Sequence, residues 1–224
     1  MPMKRLSIAV IAILAILVSM VSFADAPSLD RQLLEAAAAG DAGKVRDCLQ
    51  RGAMVDTRDA AQRTALLLAT RGDHVEAAKV LIEAGADVNA KDAIQDSPYL
   101  YAGAEGRLAI LRLTLAHGAD VRSTNRYGGT ALIPASEHGH VETVRALIAA
   151  GVDVDHVNKL AWTALLEAII LNDGGPRQVE VVKLLVAAKA DVNLADGKGV
   201  TPLQHARRRG YVDIERILLA AGAR

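Results

Sequence analysis

Residues 201–206 read T-P-L-Q-H-A and residues 85–89 read G-A-D-V-N, and the distance at which such strings recur decides the fold. A threonine or serine opens an apolar stretch at Thr64, Ser97, Thr130, Thr163 and Thr201, at intervals of 33, 33, 33 and 38 residues. A second marker, near the end of each period, falls at Gly52, Gly85, Gly118, Gly151, Lys189 and Gly222, at intervals of 33, 33, 33, 38 and 33. The two series share one five-residue excess. The chain is therefore a repeat array.

Each marker has a physical job. Thr64, Thr130, Thr163 and Thr201 stand where a side-chain oxygen can accept from the free N–H groups of a helix start. Pro98 and Pro202 follow at the first helical position, where a missing N–H costs nothing. The recurring glycines follow a second helix, where a left-handed residue ends it. Lys189 breaks that series, so a looser or differently shaped helix end is expected there. Val75, Ala78, Leu81 and Ile82 recur at helical spacing, and Val141, Val144, Leu147 and Ile148 repeat the pattern as core faces. Six units result: 28–57, 58–90, 91–123, 124–155, 156–193 and 194–224. The excess, at Asp173-Gly174-Gly175-Pro176-Arg177 or its neighbours, is expected to lengthen the turn inside the fifth unit, as a binding loop or as a neutral insertion. Pro134 falls near the first turn of a short inner helix, where it removes a donor at small cost.

The period, the strings quoted above and G-H-V-E-T-V at 139–144 resemble the ankyrin family over residues 28–224. Residues 124–175 look like an exported bacterial branch of it. The resemblance implies an all-α solenoid of helix–turn–helix units with β-turn fingers. It also implies a protein partner held by fingertips and inner helices on the concave side. Carried over position by position, that surface comprises Arg63, Arg71, Ile94, Asp96 and Glu105, then Arg126, Tyr127, Glu137 and His138. Lys159, Leu160 and Trp162 follow, and then Lys198, Arg208 and Arg209. The expected partner-binding set is Arg126, Tyr127, Glu137, His138, Lys159, Leu160, Trp162 and Arg208. Trp162, the one tryptophan, is expected to be an exposed hot-spot residue, or else to pack sideways against Tyr127 or Leu160. Glu167 replaces an apolar residue and is expected to pair with Arg126 or His138, or to line the groove. His205 holds the equivalent place in the last unit.

Composition narrows the function classes. The 224 residues are 51% apolar but 3% aromatic, which suits helices packed through small side chains. With 26 basic and 26 acidic residues there is no basic excess for nucleic acid. Cys48 stands alone and reads as a buried apolar residue. Lys4 and Arg5 precede an apolar run from Ile8 to Val18 and small residues to Ala24, which predicts a signal peptide over 1–24 and a mature domain over 25–224. Cleavage is expected after Ala24, with Ala26 as the competing site and an uncleaved anchor as the alternative. A periplasmic or secreted protein follows, monomeric and with no further membrane span. The resemblance to exported ankyrin proteins implies an envelope or oxidative-stress protein as the partner. No G-x-S-x-G, H-E-x-x-H or phosphate loop is present, so no catalysis, cofactor or metal is expected. His140 should bond loop backbone as part of a Gly-His turn. The competing reading is an enzyme-like or metal-dependent site around His138, His156 and Glu167.

Overall fold

The computed structural model describes residues 27–224; the signal-peptide reading of residues 1–24 lies outside the described residues. Within the described span the chain forms helical hairpins and, apart from a bridge between Arg58 and Thr64, no strand pairing. The inner helices are α1 (Leu29–Ala39), α3 (Ala65–Arg71), α5 (Pro98–Ala104), α7 (Leu132–Glu137), α9 (Ala164–Ile170) and α11 (Pro202–Arg209). Each is followed by an outer partner: α2 (Ala42–Gln50), α4 (Val75–Glu83), α6 (Leu108–Ala116), α8 (Val141–Ala149), α10 (Pro176–Ala187) and α12 (Val212–Ala220). Inner helices pack on inner helices and outer on outer along the array. No helix among the described residues is long and apolar enough to cross a membrane.

Small side chains set the stacking distance. Ala69, Ala102, Ala135, Ala168 and Ala206 occupy one register of the inner helices and are all 0% exposed. At Gly103 a Cβ would come within 2.7 Å of the Ala131 Cβ, so the backbones of α5 and α7 approach closely there. On the outer helices Leu81, Leu147, Leu185 and Leu218 share a register with Cys48, and all five are buried. Cys48 is thus a core residue, as its apolar context predicts.

Between hairpins the fingers are built by one recurring side chain. Asp59, Asp92, Asn125, Asn158 and Asp196 each accept the backbone N–H groups two and four residues on, at 2.9–3.1 Å. Such Asx turns close the fingertip. Neighbouring fingers are then tied together: the Asp87, Asp120 and Asp191 N–H groups donate to Asp56, Asn89 and Asp155 at 3.0, 2.8 and 2.8 Å.

Capping follows the sequence at four helices and departs from it at one. Thr64, Ser97, Thr163 and Thr201 accept from the third residue beyond, at 3.2–3.3 Å. Thr130 does not. Its Oγ1 is buried without a partner, and α7 begins at Leu132, with Ala131 in the capping position. The cause is Pro134. It lacks the N–H that would reach the Thr130 carbonyl, so the Ile133 N–H takes that carbonyl instead at 3.2 Å and tightens the first turn.

Lys189 also corrects an expectation. Its φ is +70°, left-handed like the glycines in the same register. The Lys189 and Ala190 N–H groups bond Val186 and Leu185 at 3.0 Å, as the Gly151 and Val152 N–H groups bond Ile148 and Leu147 at 3.0 and 3.2 Å. The helix end keeps its shape, and the lysine carries the strain. The five-residue excess, finally, divides. The turn between α9 and α10 has five residues where those after α3, α5 and α7 have three, and α10 has 12 residues where α8 has nine. Only two residues lengthen the turn. The other three extend α10 at its N-terminus, with Pro176 as its first residue.

Candidate functional site

Helices α5, α7 and α9 and the fingers before α7 and α9 enclose a cavity of about 320 Å³. Its wall includes Arg126, Tyr127, Glu137, His138, Leu160 and Trp162, together with Asp96, Tyr101, Glu105 and Glu167. Six of the eight expected partner-binding residues therefore line one cavity. Lys159 lies beside it: its N–H donates to the Tyr127 carbonyl at 2.9 Å and its Nζ to the Arg126 carbonyl at 3.0 Å, tying one fingertip to the next. Arg208 is exposed on α11 and does not reach the cavity wall.

The fingertip aromatics are placed by Asx turns. Asn125 Oδ1 accepts the Tyr127 and Gly129 N–H groups, and Asn158 Oδ1 accepts those of Leu160 and Trp162. Tyr127 is 51% and Leu160 56% exposed. Trp162 is half-buried, contrary to the expectation of an exposed fingertip, because its N–H and carbonyl both bond Asn158 and draw it to the base of the finger. It forms cavity wall along with Tyr127 and Leu160. The Arg126 guanidinium lies over the Tyr127 ring at 4.7 Å, and that of Arg71 over Tyr101 at the same distance.

Glu167 sits at the floor, 6% exposed. Its expected partners were Arg126 and His138, yet the contact it makes is with Asn158, whose Nδ2 donates to Oε1 at 2.8 Å. The same Asn158 that folds the finger thus reaches down, through its amide nitrogen, to the helix below. Burial, then the nearby Glu137, pushes the Glu167 carboxyl up to about 7, against the pull of Asn158 and His138. Asp96 is also held above the usual carboxylate range, by burial and Asp92, against Arg126 and Arg71, the latter 4.0 Å away. In the last unit the equivalent pair is His205 and Asp196, 2.9 Å apart. There the Val200 N–H lowers the Asp196 carboxyl, helped by His205.

The histidines do not converge. His138 Nδ1 meets the Ala104 carbonyl at 2.8 Å, and His156 Nε2 meets that of Gly128 at 2.7 Å. His140, expected to bond loop backbone, instead packs its ring against Gly106, and burial followed by the nearby His138 lowers its titration. The carbonyl bond is made by His138, two residues earlier. His138 and Glu167 share the cavity wall while His156 stays on the finger, so the three do not form the metal or catalytic cluster that the competing reading requires. No group of three or more His, Cys, Asp or Glu among the described residues has a metal-binding arrangement.

Asn158 was missed in the sequence, although a signal was present. An Asp or Asn stands five residues before each repeat-opening Thr or Ser: at 59, 92, 125, 158 and 196.

Comparison with known proteins gives the architecture a context. A model of three ankyrin repeats matches residues 99–196, and a single-repeat model matches 62–93. The fold is similar to an ankyrin repeat domain from Acinetobacter baumannii AYE, with a TM-score of 0.84 and 63% identity over 86% of this chain and 98% of that one. It is similar to the ankyrin repeat protein EF0377, with a TM-score of 0.81 and 43% identity over 84% and 96% of the two chains. The human ASB11 ankyrin repeat domain follows at 0.75 and 28%, covering 86% of this chain and 84% of that one. Among curated proteins, the putative ankyrin repeat protein YahD of Escherichia coli K12 is 52% identical over 58 residues, which are 26% of this chain and 29% of that relative.

Proposed function

Since the chain belongs to the ankyrin-repeat family, which supplies protein-interaction scaffolds, we propose that it is an exported scaffold whose partner docks on the cavity bounded by α5, α7 and α9. The observation that carries this reading is the cluster of Tyr127, Leu160 and Trp162 at the cavity, the first two more than half exposed on fingertips held rigid by Asx turns. Aromatic residues seated in a preformed hollow are the anchors at which binding energy concentrates. Export is supported by Lys4, Arg5 and the apolar run that follows.

Two measurements test the reading. Proteins captured from the exported fraction on the immobilised chain should be lost on Trp162→Ala, with binding weakened by about 2 kcal/mol or more. Retained binding would place the docking surface elsewhere. Fusion of residues 1–30 to a reporter should carry it across the inner membrane, with Asp25 as the new N-terminus of the mature chain. A soluble periplasmic protein still starting at Met1 would overturn the cleavage reading.

A further inference from the structure

The cavity has a charge problem that the chain itself does not solve. Glu105, Glu137 and Glu167 all line it, and none of the three makes an ion pair among the described residues. Glu167 is more than nine-tenths buried; its Oε1 takes the Asn158 amide, and no hydrogen bond reaches its Oε2. The side chains at the wall that could face these carboxylates are committed elsewhere: the Arg126 guanidinium lies over Tyr127, and His138 Nδ1 meets the Ala104 carbonyl. Beside these carboxylates stands Trp162, whose ring no arginine among the described residues covers, although Tyr101 and Tyr127 each carry one at 4.7 Å.

We propose that the partner fills this cavity with a lysine or arginine side chain, its cationic head directed to Glu137 and Glu167 and its stem laid along Trp162. This deepens the docking reading given above and rests on it. The chemistry is that of a cation on an aromatic face with carboxylates behind it. Removed from water, the pair Glu137 and Glu167 repel each other, and a guanidinium or ammonium between them relieves that repulsion and the desolvation of Glu167 together. An acidic side chain would add a further negative charge to a site already rich in them. An apolar one would seal Glu167 from water with no counter-charge. The high titration of Glu167, about 7 in the free protein, fits a carboxylate whose counter-ion comes from outside. A cavity of about 320 Å³ admits a long, unbranched side chain.

Trp162 is the single tryptophan of the 224 residues, so its emission reports on this cavity alone. The probes are blocked tripeptides with alanine at both ends and lysine, arginine, leucine or glutamate at the centre, titrated into the full chain at pH 8. Lysine and arginine peptides should change the emission saturably and bind at least about fivefold more tightly than the leucine peptide, with the glutamate peptide weakest. Glu137→Gln combined with Glu167→Gln should remove that preference; the wild-type comparison stands alone if this variant fails to fold. Leucine binding as well as lysine, or a preference unchanged in the double variant, overturns the cation inference and leaves the docking surface standing. Trp162 emission unmoved by every peptide overturns both.

Discussion

Replacing Glu167 by glutamine should make the protein more stable in alkali and leave it nearly unchanged in acid. The carboxyl titrates at about 7 in the folded protein and near 4.5 when unfolded. Between those values the folded chain holds a proton that the unfolded chain has released. The stability contributed by Glu167 is therefore whole below about pH 4.5, falls as pH rises through about 7, and is level beyond. At about 1.4 kcal/mol per unit the loss reaches about 3 kcal/mol, and water reaching the carboxyl through the cavity mouth reduces this to about 2 kcal/mol. Glutamine is neutral at every pH and can still accept the Asn158 amide. Urea unfolding of both proteins, followed by circular dichroism at pH 5 and pH 8.5, measures the difference directly, because titrations remote from residue 167 cancel between them. Glu167→Gln should be more stable than wild type by about 2 kcal/mol at pH 8.5 and within about 1 kcal/mol of it at pH 5. An equal difference at both pH values, or a variant weaker at pH 8.5, would show that Glu167 is ionised and well compensated in the fold.

Three further outcomes bear on the array itself. Thr163→Val should cost about 1 kcal/mol by removing a helix cap, while Thr130→Val should cost less than about 0.5 kcal/mol because that hydroxyl has no partner to lose; equal losses in thermal unfolding would restore a capping role to Thr130. Leu147→Ala should cost about 2–5 kcal/mol at a fully buried site, and Gly151→Val about 1–2 kcal/mol, since φ is +82° although space for a side chain is open; unchanged melting of both would mean the outer-helix register is wrong. Deleting residues 194–224 should bare the face of α10 around Val182 and Leu185 and cause aggregation or loss of cooperative unfolding; a soluble truncation with a sharp transition would deny the last unit its role as a cap.

The periodic part of the fold was legible because each repeating residue acts on its own neighbours. A threonine caps the turn it opens, a glycine ends the helix before it, and neither needs knowledge of distant residues. The exceptions required two signals to be weighed against each other. Thr130 and Pro134 each make sense alone, but the proline removes the donor that would let the threonine cap a regular first turn. The excess in the fifth unit could be counted in the sequence, yet its division between turn and helix depends on how α10 packs. At the site, the residues gathered around the cavity follow from the period, since equal register places them side by side. The partnership of Glu167 with Asn158 does not. It depends on one amide using its oxygen for the finger and its nitrogen for the helix below. Trp162 was misjudged for a related reason: a fingertip is an exposed place in general, but this residue lies at the base, where the finger folds back onto its helix.

The turn over residues 171–175 has one consequence for how such a chain can change its length. A 33-residue unit copied or dropped by design keeps the backbone bonds that recur at each finger and helix end. The fifth and sixth units cannot be separated in that way. The Tyr211 hydroxyl donates to the Asn172 carbonyl, and the Arg209 guanidinium donates to that of Ile170 at 2.8 Å. Gly174 has no side chain because a Cβ there would fall 2.6 Å from the Tyr211 ring. A foreign unit inserted between them would lose all three contacts at once. An array redesigned to a new length therefore keeps these contacts only where its last two units are moved together.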